Sequence, residues 1–252
     1  MANFNTHLLA GALASGLAAT MTMAAGIVPQ SEILGLTVVG VVGSILPDVD
    51  LENTEPSKLL FGGLGMALAF ATLFHFHGTY SIAELWVVWL GVFVAIRYGL
   101  FWTFHKRTRH RGVFHSLLAA ALFAALTAAL FSHIFLKDPL VSWFAGLFMF
   151  GGYLVHLILD EVYAVNYEGM KLKSSFGTAL KVVDLHSLPA TGIMTAALVA
   201  AVLIAPPSRG FFQTVSTHNV HAFLTERMLP KGGWFRSLGQ ERINLAPMTR
   251  VD

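Results

Sequence analysis

Histidines and aspartates form four short groups in this sequence, and long apolar runs separate the groups. Histidine and aspartate supply the nitrogen and oxygen ligands that zinc, manganese and iron accept, and the chain contains no cysteine. The pattern therefore predicts a metal centre without thiolates. The groups are His7, the pair Asp48 and Asp50, the loop histidines His105, His110 and His115, and the pair His156 and Asp160.

The spacing within two of these groups favours chelation. His156 and Asp160 are four positions apart, which places both side chains on one face of a helix, as in helical zinc sites. Asp48 and Asp50 follow Pro47, and two carboxylates on a turn can serve one cation and a water, or two cations. Together the groups exceed one tetrahedral site, so we expect two or more divalent cations, with zinc favoured and manganese or iron as alternatives.

Two of the groups also have simpler explanations. Asp48 and Asp50 could only cap a helix that follows Pro47. The basic loop from His105 to Arg111 could only anchor the chain at a membrane surface. His156 with Asp160 is the pair that such structural roles explain least well.

The composition predicts an all-α, polytopic transmembrane helix bundle. Hydrophobic residues make up 55% of the 252 positions and charged residues only 12%, whereas soluble domains are about 25% charged. A soluble enzyme and a disordered chain are therefore excluded. The net charge of +2 gives no reason to expect a nucleic-acid partner, and the oligomeric state is not indicated. The expected partner is the lipid bilayer.

Apolar runs long enough for about seven spans cover residues 1–205, and a polar tail occupies residues 206–252. The second run is short because it stops at Pro47. Within the tail, apolar residues from Phe211 to Leu229 have rough helical spacing, which predicts a helix along the membrane interface. The runs are 8–28, 33–46, 59–76, 82–104, 113–135, 140–163 and 188–205.

The order of the spans places all four groups on one side of the membrane. Loops on that side carry most of the loop lysines and arginines, whereas the short loops opposite carry only Lys137. The positive-inside rule then predicts a multi-pass protein of the inner (plasma) membrane whose site faces the cytoplasm. The first six residues contain no lysine or arginine, so we expect the first span to be retained rather than cleaved as a signal peptide.

The four groups resemble the motifs of a known family, the membrane-bound metal-dependent hydrolases named after YdjM, the LexA-regulated inner-membrane protein. The order and spacing of the motifs agree across about residues 1–165, and four motifs in order are fairly specific. The matching segments are His7-Leu8-Leu9, Leu46-Pro47-Asp48-Val49-Asp50, His110-Arg111-Gly112-Val113-Phe114-His115-Ser116 and His156-Leu157-Ile158-Leu159-Asp160.

The resemblance implies a metal-dependent hydrolase. Its implied metal ligands are His7, Asp48, His110, His115, His156 and Asp160. More distantly, the pattern resembles zinc-dependent phospholipases C, which cleave phosphodiesters, although this step rests on analogy. Two departures bear on substrate contacts rather than on the metal: Phe114 and Tyr163 stand where the family commonly has threonine.

We expect a water activated by the metal to attack a phosphorus or carbonyl centre, with a phosphoester favoured. Asp50 is the candidate general base, and Arg111 is the candidate stabiliser of anionic charge on a phosphoryl oxygen. Because the second run is short, Asp48 would lie below the headgroups, which favours a phospholipid or lipid-linked substrate. The alternatives are a metal-ion transporter or sensor that uses the same ligands, and a structural protein that binds no metal.

Overall fold

The structure is a computed structural model, and it describes residues 3–51, 54–76, 78–106, 112–166, 171–172, 177 and 180–216. The described chain is helical except for one pair of two-residue antiparallel strands, in which Val165 pairs with Leu172. The α-helices are α1 (Phe4–Ala24), α2 (Ile33–Ile45), α3 (Glu55–His75), α4 (Ile82–Val94), α5 (Phe101–His105), α6 (Leu117–His133), α7 (Pro139–Val162), α8 (Leu188–Ile204) and α9 (Arg209–Ser216), and the strands are β1 (Val165–Asn166) and β2 (Lys171–Leu172).

The predicted all-α bundle is confirmed, and each of the seven apolar runs forms a helix. Five segments of the described chain are long and apolar enough to cross a bilayer, or six if the bent pair α8 and α9 is one span. The remaining apolar helix, Leu117–His133, is shorter, so length and composition alone support five or six of the roughly seven expected spans. The five segments are Phe4–Ala24, Gln30–Asp50, Glu55–His75, Ile82–His105 and Pro139–Val162.

The fifth run is the one that falls short. Its helix, α6, begins at Leu117 rather than at Val113 and has 17 residues, which corresponds to about 26 Å at 1.5 Å per residue. The shortening has a local cause, because Ser116 caps the helix by accepting a hydrogen bond from the Ala119 N–H. Residues 113–116 are therefore not part of the helix, and the path of this segment directs the side chain of His115 into the bundle.

The second run is longer than its α-helix. The helix α2 has 13 residues, but a 3-10 turn precedes it and a second one, Leu46–Asp50, follows it. Pro47 explains this change because it cannot donate the hydrogen bond that would continue the α-helix. The whole helical segment Gln30–Asp50 has 21 residues, so the expectation of a short second span holds for α2 alone.

Three helices pack closely around α7. Helices α1, α2 and α6 all contact α7, and α8 packs on the outside of α6. The contact between α2 and α7 depends on glycine: a Cβ atom at Gly152 would lie 1.9 Å from the carbonyl oxygen of Gly40, and one at Gly43 would lie 2.4 Å from that of Met149. Small residues let helix backbones approach in a membrane, and here they bring the ends of α2 and α7 together.

Helices α3, α4 and α5 form a separate unit, which we call the lateral hairpin. Helix α4 continues into α5 through a π-helical stretch, Ala95–Leu100, and α3 packs against α4. The lateral hairpin joins the rest of the bundle near one end, where the ring of Phe104 contacts that of Phe114 at 5.3 Å and α3 packs against the 3-10 turn Leu46–Asp50. This turn carries Asp48 and Asp50.

The start of the predicted tail is helical. Helix α9 is bent by 91° from α8, and its Phe211 ring contacts the ring of Phe144 at 5.4 Å. A helix perpendicular to a span has the orientation that an interfacial helix needs. Residues 217–252, which include the rest of the predicted interfacial stretch, lie outside the described residues.

Candidate metal centre

Six of the predicted site residues converge at one end of the bundle. His7 comes from the first turns of α1, the aspartates from the turn after α2, His115 from the residues before α6, and the last pair from the end of α7. All six are buried, although they are ionisable. Their exposed fractions are 0% for His7, His115, His156 and Asp160, 8% for Asp48 and 5% for Asp50.

One group of potential ligands consists of His7, His156 and Asp160. One ligand atom from each lies within 4.8 Å of the other two. The Nε2 atom of His7 is 3.4 Å from Oδ1 of Asp160, and the rings of His7 and His156 stack at 3.8 Å with 13° between their planes. The packing therefore holds the two imidazoles in a fixed relation beside one carboxylate.

A second group consists of Asp48, His115 and His156, again with ligand atoms within 4.8 Å of one another. The Oδ1 atom of Asp48 is 3.7 Å from Nε2 of His115 and 3.6 Å from Nε2 of His156. The other oxygen of Asp160, Oδ2, is 3.8 Å from Nε2 of His115. Asp160 thus touches both groups, one through each carboxylate oxygen.

The hydrogen bonding of His156 indicates that this cluster fits a cation. Its Nδ1 atom lies 2.8 Å from the carbonyl oxygen of Ser44, which can only accept, so Nδ1 carries the proton. In the neutral ring Nε2 then presents a lone pair toward Oδ1 of Asp48, another acceptor. Neither atom has a hydrogen-bond partner among the described residues, and the same is true of both ring nitrogens of His7.

Buried acceptors that face one another at this distance repel unless a positive charge lies between them. The donor set of imidazole nitrogens and carboxylate oxygens, without thiolate, is one that zinc, manganese and iron accept. The residues present therefore fit a divalent cation.

The raised pKa of His115 also indicates that negative charge exceeds positive charge in this cluster. Burial by itself lowers this pKa, but interactions with Asp50 and Asp48 outweigh burial and raise the pKa to about 9. The Nδ1 atom of His115 is 3.4 Å from Oδ2 of Asp50. This contact is typical of a carboxylate that orients a metal-binding histidine through its second ring nitrogen.

Two supporting residues were not expected to contribute to the site. The hydroxyl of Tyr153, which lies one turn before His156, donates a hydrogen bond to the carbonyl of Phe114 and so fixes the backbone beside His115. Ser44 contributes through its carbonyl oxygen. Tyr153 lies three positions before His156, so its place on the same side of α7 could have been predicted from the sequence. The role of the Ser44 carbonyl could not, because every residue has a backbone carbonyl.

His105 supports the site from the lateral hairpin. Its Nε2 atom is 3.1 Å from the carbonyl oxygen of Val49, between the two aspartates, and 3.0 Å from the hydroxyl of Ser57. Its Nδ1 atom is 2.8 Å from the carbonyl of Phe101. Contact with the backbone of the aspartate turn makes His105 a link between the lateral hairpin and the site. Thr54, rather than Asp48 or Asp50, occupies the N-cap position of α3.

Other ionisable residues lie apart from the cluster. Asp184 is held by Lys181 at 3.2 Å and by the exposed His186 at 3.5 Å. The guanidinium of Arg97 lies over the ring of Phe101 at 5.3 Å, in the lateral hairpin. The predicted ligand His110 and the predicted anion stabiliser Arg111 lie outside the described residues.

The family comparison agrees with the arrangement of the motifs. The profile of the YdjM inner membrane protein family matches residues 1–215. The chain belongs to this family. The match continues through α8 and most of α9, so the limit at about residue 165 that the four motifs suggest is too short. No curated protein and no solved structure matches the chain significantly.

Membership in the YdjM family makes the chain an inner-membrane protein, and the buried histidine and aspartate groups make it one that could hold a metal ion. The described histidines and aspartates of the four motifs converge, and those of α1, of the turn after α2, of the residues before α6 and of α7 meet at one end of the bundle.

Proposed function

We propose that this YdjM-family protein is a metal-dependent hydrolase that cleaves a phosphoester in a lipid or lipid-linked substrate. The observation that carries the proposal is the lone pair of His156 Nε2, fixed by the Ser44 carbonyl and directed at the Asp48 carboxylate inside a buried cluster. Buried ligands that face one another in this way need a cation, and a cation is the usual source of a strong nucleophile in a hydrolase.

The residues that would hold the cation are His7, Asp48, His115, His156 and Asp160, together with His110. A divalent cation bound there would lower the pKa of a coordinated water to near 7 and would polarise a phosphoryl oxygen. We propose zinc as the metal, because tetrahedral histidine and aspartate sites suit it best.

We further propose two cations, with Asp160 between them. A single ring nitrogen binds a single cation, so His156 Nε2 can serve only one of the two ligand groups. Asp160 directs Oδ1 to His7 and Oδ2 to His115, so its carboxylate would contribute to holding both cations. The second cation would then rest on Asp48, His115 and Asp160, with His110 as the expected further ligand.

The chain's own residues would hold and move protons around this centre. Asp50 faces Nδ1 of His115, which supports a role in orienting that ring and keeping Nε2 available. We also propose that Asp50 acts as the general base, because it lies in the same turn as the candidate ligand Asp48. Arg111 would stabilise the negative charge that develops on the phosphoryl group.

A lipid substrate is supported by the apolar surface around the cluster. Leu8 and Leu9 follow His7 directly and are 36% and 63% exposed, and Ile158 and Val162 flank the last turn of α7 with 44% and 42% exposed. Because these exposed side chains are apolar, we expect the hydrocarbon region of the bilayer to extend to the level of the metal centre. A phosphoester at the membrane surface would therefore meet the site from the side.

The alternative of a metal-ion transporter is less well supported. A transporter needs polar groups along a path through the membrane. The cluster instead lies at one end of the bundle, and the α1 and α7 surfaces below it are lined mainly by alanine, glycine and apolar side chains.

One experiment tests the proposal against both alternatives. Purified, detergent-solubilised protein is measured for bound metal before and after chelation, and for hydrolysis of a chromogenic phosphodiester. We expect His156→Ala to lose metal and hydrolysis together, while the exposed His186→Ala keeps both. Metal flux into proteoliposomes without hydrolysis would favour the transporter, and absence of bound metal from the wild type would favour the structural role.

We also propose that the site faces the cytoplasm, because the loops on its side carry the positive charge. The absence of cysteine makes this easy to test. Cysteine is introduced at His186 on the site side, 98% exposed in its side chain, or at Leu136 on the opposite side, 84% exposed. In intact cells without an outer membrane, an impermeant maleimide should label Leu136→Cys and spare His186→Cys. The reverse pattern would place the site outside.

A further inference from the structure

A cleft between α1 and α7 runs from beneath the metal centre into the bundle. Its volume is about 260 Å³, and it is partly open at the surface. Small residues make the space, since Ala14 and Ala18 line it from α1 and Gly151 lines it from α7. The same two helices carry His7, His156 and Asp160, so the walls of the cleft and part of the metal centre are built from the same elements.

The cleft lies in the hydrocarbon region of the membrane. Along α1 it extends from Ala14 to Thr22, a rise of about 12 Å, and it begins about 10 Å from His7. On α7 it reaches Val155, which directly precedes His156. Both helices are long and apolar enough to span a bilayer. The cleft therefore leads from the level of the metal centre toward the middle of the membrane.

The size and lining of the cleft select its occupant. The space is what the short side chains at Ala14, Ala18 and Gly151 leave between two helices that contact each other, so it suits a thin chain rather than a partner helix about 10–12 Å in diameter. Water finds few partners at this depth, because Ser15 and Thr22 supply the hydroxyls of the lining and that of Thr22 already donates to the carbonyl of Ala18 at 2.8 Å. A single hydrocarbon chain meets both conditions.

The wall of the cleft farther from the site is apolar and well packed. Phe148 lines the cleft and is 6% exposed, and it belongs to a hydrophobic cluster with Ala19 and Phe144. A hydrocarbon chain would contact this cluster.

We infer that the cleft between α1 and α7 binds one acyl chain of a glycerophospholipid whose phosphate lies at the metal centre. The inference rests on the proposed function for the identity of this lipid as substrate, and it adds that α1 and α7 select the substrate by its hydrocarbon chain. The binding of the acyl chain depends only on the cleft and not on hydrolysis of the lipid.

A substitution at Gly151 tests the inference without disturbing the packing. A Cβ atom at Gly151 would meet no atom within 4 Å, so the side chain of Gly151→Leu has room to enter the cleft. Gly91→Leu on α4 is the matched control, because Gly91 is exposed at mid-helix and also has open space at its Cβ position. Ala14→Leu fills the cleft from the opposite wall and serves as a second variant.

The probe is a phosphatidylglycerol with a diazirine on one acyl chain, mixed with phosphatidylcholine in nanodiscs that contain the full-length, zinc-loaded protein. After illumination, crosslinked residues are mapped by mass spectrometry. We expect crosslinks to concentrate on α1 and α7 along the cleft and to fall about tenfold in Gly151→Leu and Ala14→Leu, but not in Gly91→Leu. Equal labelling of all three variants, or labelling spread evenly over the exposed face of α4, would overturn the inference.

The same mapping in Asp160→Asn separates this inference from the proposed function. The cleft contains none of the metal ligands, so its crosslinks should persist in that variant. Cleft crosslinks in a wild-type protein that binds no metal and hydrolyses no phosphodiester would leave the acyl-chain site standing and remove the hydrolase. Hydrolysis without cleft crosslinks would leave the hydrolase standing and remove the acyl-chain site.

Discussion

Helix α7 and the lateral hairpin have similar apolar character but opposite environments. In the most apolar window of α7, 61% of the residues are buried, whereas in that of Ile82–His105 only 6% are buried. Helix α7 lies among α1, α2 and α6, and the lateral hairpin turns most of its surface outward. Hydropathy alone therefore identifies both as membrane helices without showing which one supports the site.

The two regions are stabilised by different side chains. In the core, Gly43 and Gly152 allow backbones to touch. In the lateral hairpin, aromatic rings fill the contact: Trp89 packs against Phe70 at 5.5 Å and against Phe93 at 5.5 Å. Close backbone contact fixes the positions of nearby side chains more rigidly than rings that face lipid. The candidate ligands His156 and Asp160 lie on α7, and Asp48 lies in the turn that directly follows α2, so the glycine-packed pair of helices offers them a fixed geometry.

The largest contrast is expected between matched glycine substitutions. Gly152→Ala places a Cβ atom 1.9 Å from the Gly40 carbonyl, so α2 and α7 must separate, which should cost about 3 kcal/mol. Gly91→Ala in the lateral hairpin meets open space and should be neutral or slightly stabilising. Thermal unfolding in detergent should show a melting temperature lower by roughly 6–12 °C for Gly152→Ala alone. Equal melting temperatures would mean that the glycine contact is not tight.

The next contrast compares two carboxylates. Asp50→Asn removes the charge that orients His115, and we expect zinc affinity to fall by about 10- to 100-fold. Glu84→Gln weakens the capping box at the start of α4 but leaves zinc affinity unchanged. Zinc titration of chelator-stripped protein measures both. An Asp50→Asn variant with wild-type affinity would show that Asp50 does not orient a ligand.

The smallest contrast compares two tyrosines. Tyr153→Phe removes the hydrogen bond to the Phe114 carbonyl and leaves that carbonyl without its donor, which should lower stability by about 1.5 kcal/mol. Tyr98→Phe, at an exposed position of the lateral hairpin, should have almost no effect. Unfolding by denaturant in the same detergent provides the comparison. A loss of the same size in both variants would contradict the supporting role of Tyr153.

Much of the fold could be predicted because the physical signals are strong. Apolar runs bounded by Pro29, Pro47 and Pro206 mark the helices, and alternation of the helices through the membrane brings His7, Asp48, His115 and His156 to one side. The spacing of His156 and Asp160 gives their common face. Convergence of the described motif residues follows from these features together.

The parts that could not be predicted depend on contacts between distant residues. The start of α6 at Leu117 reflects the cap at Ser116, together with hydrogen bonds from Leu117 and Leu118 to the segment at residues 181–182. The close approach at Gly152 depends on which face of α2 it meets. The supporting contact from His105 to Val49 joins residues 56 positions apart, and no local pattern shows it.

The central claim is that His156 and Asp160 hold a cation together with His7, Asp48 and His115, and anomalous X-ray scattering from a zinc-loaded crystal tests it most directly. The account predicts an anomalous peak about 2.0–2.2 Å from Nε2 of His156 and from a carboxylate oxygen of Asp160. A zinc-loaded crystal with no peak in this cluster, and with Nε2 of His156 bonded to water, would contradict it.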